Sequence, residues 1–238
     1  MVSVAVIHQP NYLPGLTYFD KIACCDVFIF LDNVQYTKNN WINRNKIKTP
    51  NGDQWLTVPV VTAGQLTQTI NQTIPDQRSD WPMKHLNALR TYYGRAPHFR
   101  RFLPILQEHY ERSWASLADL NASLIRAVCR ELGLAPEFVF ASELKASGRS
   151  TALLVQLCCA VGATAYLSGP GGLKYMDTSL FRGKGIELLL REFHHPMYRQ
   201  LHGEFLPNMS VVDLLFNEGE ASATVLRGSE SCTVPLNT

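Results

Sequence analysis

Three polar stretches follow apolar runs in this chain, and each carries side chains that can move a proton or hold an anion. The first is His8-Gln9-Pro10, directly after residues 2–7. An imidazole with an intrinsic pKa of about 6.5 can serve as a general base, or it can close the turn through a hydrogen bond. The second is Asp32-Asn33-Val34-Gln35-Tyr36, after the apolar run 27–31. A carboxylate so close to a buried strand needs a cation or hydrogen-bond donors, or its pKa rises. Asp32 is therefore read as a base or substrate anchor, with a pair to Arg44 or a cap on a neighbouring helix as the structural alternative. The third is Ser168-Gly169-Pro170-Gly171-Gly172. Its glycines let backbone N–H groups approach an anion closely.

Other residues could complete such a site. Lys38, Arg44, Lys46 and Lys48 cluster near Tyr36 and Trp41. An arginine fork binds phosphate or carboxylate, and aromatic rings stack on sugars or bases. Arg44 is the favoured ligand of this group, and the lysines read equally well as a solvated loop. The glycine turn is not a Walker A loop, a GxGxxG fingerprint or a GxSxG elbow, which argues against Ser168 as a triad serine. Cys158 lies in an apolar helical pattern with no activating neighbour, so core packing is expected. His194 and His195 could line the same rim, but the sequence offers no third metal ligand. His85, His98, His109 and His202 read as surface or structural residues.

The elements that must position these residues follow from periodicity. Residues 2–7, 16–24 and 27–31 read as strand, helix, strand, a βαβ unit with a right-handed crossover. Residues 32–52 read as a polar loop ending in the Pro50-Asn51-Gly52 turn, and 55–61 as a strand. Residues 62–75, rich in Gln and Thr, read as a strand or loop at an edge. Helices are expected at 81–93, 99–113 and 117–132, with Asp80 as an N-cap and Gly133 as a C-cap. The α/β rhythm resumes with strands at 138–141, 165–168 and 186–190 and helices at 151–161 and 210–217. The expected fold class is α/β: a parallel-sheet, three-layer-like core forming a single domain over 1–238, with a helical insertion at about 79–133. Ligands in such sheets collect outside the carboxyl ends of the strands.

Composition narrows the function classes. The 238 residues carry a net charge of only +2, which argues against nucleic-acid binding and gives no reason for anionic-membrane binding. No apolar run is long enough to span a bilayer, and residues 1–8 lack the features of a signal peptide. Six cysteines without CxxC or Cys/His spacing read as reduced, buried thiols, so a cytoplasmic protein is expected.

The polar stretches also resemble a known family. His8-Gln9-Pro10-Asn11-Tyr12-Leu13-Pro14, Tyr18-Phe19, Leu31-Asp32-Asn33-Val34-Gln35-Tyr36 and Trp41-Ile42-Asn43-Arg44-Asn45 are similar to the opening of the WbqC-like protein family. Trp81 with Lys84, Ala96-Pro97 before Phe99, Leu167–Gly172 with Tyr175, and Phe205, Pro207, Ser210 and Asp213 extend the likeness over nearly the whole chain. The resemblance implies a pathway enzyme of bacterial O-antigen or other saccharide assembly, or of natural-product biosynthesis. Two departures stand out: Ala152 and Leu153 replace an acidic residue and an arginine, and Cys159 occupies a position that is commonly lysine. They imply altered specificity or lost activity if that charge pair holds substrate in relatives.

The combined expectation is a transferase that moves an acyl or aminoacyl group from an activated donor to an amine or sugar acceptor. His8 and Asp32 are the candidate catalytic residues. Gln9, Gln35, Tyr36, Asn43, Arg44, Ser168, Gly171, Gly172 and Tyr175 are the candidate substrate ligands. No tightly bound metal or redox cofactor is expected; the substrate is linked to phosphopantetheine or a nucleotide, and an acyl or peptidyl carrier protein is a candidate partner. A carrier-dependent condensing or cyclising enzyme and a non-catalytic scaffold are the competing readings. His8, Asp32 and Ser168 are expected to share one cleft.

Overall fold

Apolar runs with no polar face become strands covered on both sides. The computed structural model describes residues 2–61, 67–228 and 230–236. Its strands are β1 (Val4–His8), β2 (Val27–Phe30), β3 (Arg44–Thr49), β4 (Gly52–Thr57), β5 (Glu137–Phe140), β6 (Ala165–Ser168), β7 (Glu187–Glu192) and β8 (Cys232–Pro235). Six of them form one sheet in the order β5-β2-β1-β6-β7-β8, parallel except for the antiparallel edge strand β8. Alternation along the strands divides the core. Val6, Phe28 and Phe30 face one apolar cluster, and Ala5, Ile7, Val27 and Ile29 face the other. The protein is therefore an α/β fold with helices on both faces of a mostly parallel sheet.

The helices are α1 (Leu16–Ala23), α2 (Trp81–Tyr93), α3 (Phe99–Tyr110), α4 (Leu117–Glu131), α5 (Ser150–Ala160), α6 (Pro170–Leu173), α7 (Ser179–Arg182), α8 (Val211–Glu218) and α9 (Ser222–Arg227). Helices α1 to α4, α8 and α9 contribute to the first cluster, and α5 and α7 to the second. Ser116 caps α4 by accepting from the Asp119 amide at 3.1 Å. Arg126 of α4 lies over the rings of Phe30, Phe138 and Phe140 at 5.3–5.6 Å, pinning the helical segment to the β2–β5 edge.

Two expectations are corrected. Residues 44–49 form a strand rather than loop, paired antiparallel with β4 across the Pro50-Asn51-Gly52 turn. Gly52 takes a φ of +106°, which explains glycine at the turn's end. Sequence periodicity hid β3 because its buried positions include Asn45, Lys48 and Thr49. The cysteines are not uniformly buried: Cys129 and Cys158 are, whereas Cys159 and Cys232 are exposed. The stretch 62–75 falls partly outside the described residues; Thr69 within it forms a β-bridge with Gln35. No described helix is long and apolar enough to cross a membrane.

Candidate active site

The chain reverses direction across the sheet at β1. It leaves β1 through α1 to β2 on one side and later places β6 on the other. Such a switch point opens a crevice at the carboxyl ends of the strands. There, a cleft of about 250 Å³ is lined by His8 at the end of β1, by Asn11 and Gly15 in the following loop, by Thr17, Tyr18 and Lys21 of α1, and by Trp41, Asn45 and Asn208.

His8 is oriented by two neighbours. Its Nδ1 lies 3.1 Å from the Gln9 carbonyl, and its ring meets Tyr18 edge to face at 4.7 Å. A carbonyl only accepts, so Nδ1 carries the proton and Nε2 keeps a lone pair. Nε2 has no protein partner among the described residues. Burial, reinforced by the Lys21 ammonium, lowers the His8 pKa to about 3 against the pull of the Gln9 carbonyl. The imidazole is thus neutral throughout the physiological range. Lys21 is itself brought down to about 8, by burial first, with the Asp20 carboxylate acting in the other direction. Asp20 does not pair with it, because both Asp20 oxygens accept from Arg191 of β7 at 2.6 and 2.7 Å.

The loop after β1 is held from four directions. Asn45 of β3 donates from Nδ2 to the carbonyls of Tyr12 (3.3 Å) and Leu13 (2.7 Å). Asn121 of α4 donates to the carbonyls of Pro10 (2.8 Å) and Ile42 (2.7 Å). Ser210 donates its hydroxyl to the Leu13 carbonyl at 2.8 Å. The buried Tyr12 hydroxyl lies 2.9 Å from His85 Nδ1 and also contacts Tyr110. His85 Nε2 lies 3.1 Å from the Thr57 carbonyl, so Nε2 carries the proton and Tyr12 donates to Nδ1. These contacts hold Leu13 at a φ of +41°, a conformation disfavoured for a branched residue.

The candidate residues named from sequence divide by position. His8, Asp32 and Ser168 all stand at or just beyond the carboxyl ends of the adjacent strands β1, β2 and β6. His8 lines the cleft; Asp32 and Ser168 do not. The expectation of one shared cleft is corrected in that respect, because both side chains are buried and turned to local partners. Asp32 accepts from the Ser142 amide at 2.9 Å and the Ser142 hydroxyl at 2.5 Å, holding the single helical turn Ala141–Glu143 after β5. Ser168 Oγ donates to the Gly169 carbonyl at 3.1 Å. Gly171 and Gly172 fall in the one-turn helix α6, where a Cβ on Gly172 would meet Ser168 Oγ at 2.6 Å. Glycine there serves close packing on Ser168. Tyr175 is 84% exposed and Gln35 is also exposed. Gln9 contributes its carbonyl, which accepts from Tyr18 at 3.1 Å as well as holding His8.

Asn43 is buried and donates to the Val58 carbonyl at 3.0 Å. Arg44 lies over the Trp55 ring at 4.1 Å, and Trp55 meets Trp41 at 5.3 Å, so β3 and β4 build an aromatic rim beside the cleft. Tyr36 sits near the Arg44 charge; burial raises its hydroxyl to about 12 and Arg44 opposes that rise. The Tyr36 hydroxyl and Arg44 Nε are both buried without a hydrogen-bond partner. On α5, Ala152 and Cys159 are exposed and Leu153 is buried. No cluster of three or more metal-ligating side chains occurs among the described residues.

Sequence reasoning missed Lys21, Asn11, Trp41 as a cleft wall, and Asn208. A lysine followed by an apolar core position reads as helix surface. Its signal was position: one turn into the helix that starts directly after the His8 loop.

A sequence model described as the WbqC-like protein family matches residues 9–225 of this chain. The chain belongs to the WbqC-like protein family. The matched span begins one residue after His8 and takes in the loop, α1 with Lys21, the β3–β4 hairpin and the helical segment. This WbqC-like chain is also similar to a Mycobacterium tuberculosis (strain ATCC 25618 / H37Rv) protein named "Uncharacterized protein Rv1507c", 38% identical over 229 residues covering 95% of this chain and 98% of the relative. No solved structure matches the chain significantly.

Proposed function

We propose that this WbqC-like protein is a group-transfer enzyme that moves an acyl or aminoacyl group from an activated donor to an amine or sugar acceptor. The reaction takes place in the cleft at the carboxyl end of β1. The observation that supports this reading is a neutral imidazole of fixed tautomer in that cleft, its Nε2 lone pair unpartnered.

In an aminoacyl or acyl thioester, the acceptor nitrogen attacks the carbonyl, the C–N bond forms and the C–S bond breaks. The proton leaving the nitrogen passes to His8 Nε2 and from there to the departing thiolate. Burial, with the adjacent Lys21 ammonium adding to it, keeps the protonated imidazole short-lived, which favours return of the proton. The exposed Trp41 offers an apolar face at the cleft mouth for a sugar ring. Asp32 acts in this reading as a positioning residue, because both its oxygens are taken by Ser142. A donor carried on phosphopantetheine or a nucleotide, the former presented by a carrier protein, completes the proposal.

The test offers the protein a panel of acyl and aminoacyl N-acetylcysteamine thioesters with amino-sugar acceptors, products being read by mass spectrometry. Transfer should appear with wild type and fall by roughly 10²-fold or more in His8→Gln, with the melting temperature nearly unchanged. Equal turnover by both proteins would refute the role of His8. A donor converted to its own cyclised product, thiol released and no acceptor incorporated, would assign a cyclising reaction instead.

A further inference from the structure

The cleft holds a cation that forms no ion pair with any described residue. Lys21 lines it beside His8 and Tyr18, its ammonium without a hydrogen-bond or ion-pair partner among the described residues. Removing an ammonium from water is costly unless an anion or strong acceptors replace the lost hydration. The neighbouring carboxylate on α1, Asp20, is committed to Arg191. His8 is neutral and cannot balance the charge.

A second, independent feature points the same way. The eight-residue helix α1 begins at the floor of this cleft, with Gly15 as an N-cap that provides no side-chain cap and with no acidic residue in its first turn. The first amides of a helix have no intrahelical acceptor; that of Leu16 faces the Met209 carbonyl across the Gly15–Ser210 bridge, and that of Thr17 finds none elsewhere among the described residues. Lys21 lies one turn further along, at i+4 from Thr17, so ammonium and helix N-terminus open on the same space. The Asn11 and Asn208 side-chain amides also line the cleft and have no hydrogen-bond partners among the described residues.

We infer that the cleft is an anion subsite in which Lys21 and the amino end of α1 hold a phosphate or carboxylate group carried by the substrate. This deepens the group-transfer reading, on which its biological meaning rests, by naming the charge class of the substrate. An anion in place neutralises the Lys21 ammonium, which adds to burial in depressing His8, so loading the subsite lifts that part of the depression and makes His8 a stronger base. Proton transfer is thereby coupled to correct occupancy. Burial first and the Asp20 carboxylate second set the titration of Lys21, with Arg191 on β7 acting through its pair with Asp20 and His8 and Tyr18 facing it across the cleft.

The test is a pH titration of the intact protein with its lysines reductively ¹³C-methylated, followed by NMR, alone and with saturating inorganic phosphate or acetate. One resonance should titrate near pH 8 and be missing from Lys21→Met. Phosphate or acetate should move its midpoint up by roughly one pH unit, equivalent to about tenfold tighter binding to the charged amine. A shift with phosphate alone assigns a phosphorylated substrate, and one with acetate alone a carboxylate. A midpoint that neither anion moves, or a shift on a resonance that survives in Lys21→Met, overturns the inference. These outcomes are independent of the His8→Gln turnover assay, so either reading can fail without the other.

Discussion

Acidification bears on His85, the buried imidazole beneath the site loop. It is boxed between the Tyr12 hydroxyl and the Thr57 carbonyl and flanked by Trp81 and Tyr110, and burial lowers its pKa to about 4 against the bond to Thr57. In the unfolded chain the same ring titrates at about 6.5. Between these values the unfolded state binds the extra proton, so the contribution is complete above pH 6.5 and is lost as pH falls towards 4. At pH 5 the unfolded ring is almost wholly charged and the folded one about one-tenth charged. Linkage then gives a loss of ~2 kcal/mol between pH 7.5 and pH 5, approaching ~3 kcal/mol at pH 4. Other groups titrate in this range, so the comparison is with His85→Gln, whose amide can reach the same two partners without ionising. Urea unfolding of both proteins at the two pH values supplies the number. The stability advantage of wild type over the variant should shrink by about 2 kcal/mol at pH 5. An advantage independent of pH would mean that the folded ring protonates as easily as the unfolded one, and the assignment of the Tyr12–His85–Thr57 bonds would be wrong.

Four further outcomes follow from the contacts. Asn45→Ala removes the donors to the Tyr12 and Leu13 carbonyls and should cost roughly 1–3 kcal/mol in thermal or urea unfolding, with Asn45→Asp no better because it restores no donor. Asp32→Ala should lose about 2 kcal/mol by orphaning the Ser142 amide and hydroxyl, whereas Asp32→Asn stays within about 1 kcal/mol. If Asp32→Asn nonetheless abolishes the His8-dependent transfer, Asp32 carries a proton and is not a positioning group. Arg191→Met strands the buried Asp20 carboxylate and should destabilise by ~3 kcal/mol, more than the double variant with Asp20→Asn. Iodoacetamide at neutral pH should label Cys159 and Cys232 first, leaving Cys129 and Cys158 unmodified until unfolding, as peptide mass spectrometry will read; burial raises both of those thiols to about 12.

Much of the scaffold was legible because its signals are local. The apolar runs at β1 and β2 have no polar face, which specifies central parallel strands whatever lies around them. Helix α4 announced itself through Gly133 just past its end and a dense apolar stripe. Strand β3 was not legible, although the Pro50-Asn51-Gly52 turn and a strand beyond it were, since Lys46 finds Asp53 and Lys48 finds backbone carbonyls at 203 and 204 only after folding. Nor was the final edge strand β8, a short exposed segment paired only with β7. For the site, sequence placed His8, Asp32 and Ser168 at the ends of strands that the sheet order makes neighbours. It could not tell which polar side chains face solvent: Asp32 and Asn43 look like ligands in sequence and spend their hydrogen bonds inside the protein. Lys21 looked like an ordinary helix cation and faces the cleft.

The bracing of the loop after β1 has a consequence for how the chain can be shortened. Two of its supports, His85 with Tyr110 and Asn121, come from the helices between β4 and β5, a segment that in sequence resembles a detachable insert. Those helices serve as the mould in which the loop sets. A minimal sheet made by excising them would leave Leu13 free to relax from its unfavourable torsion, and the residues that follow His8 would lose their fixed places. Any effort to transplant this cleft onto a smaller α/β frame must therefore carry the helical segment along with it.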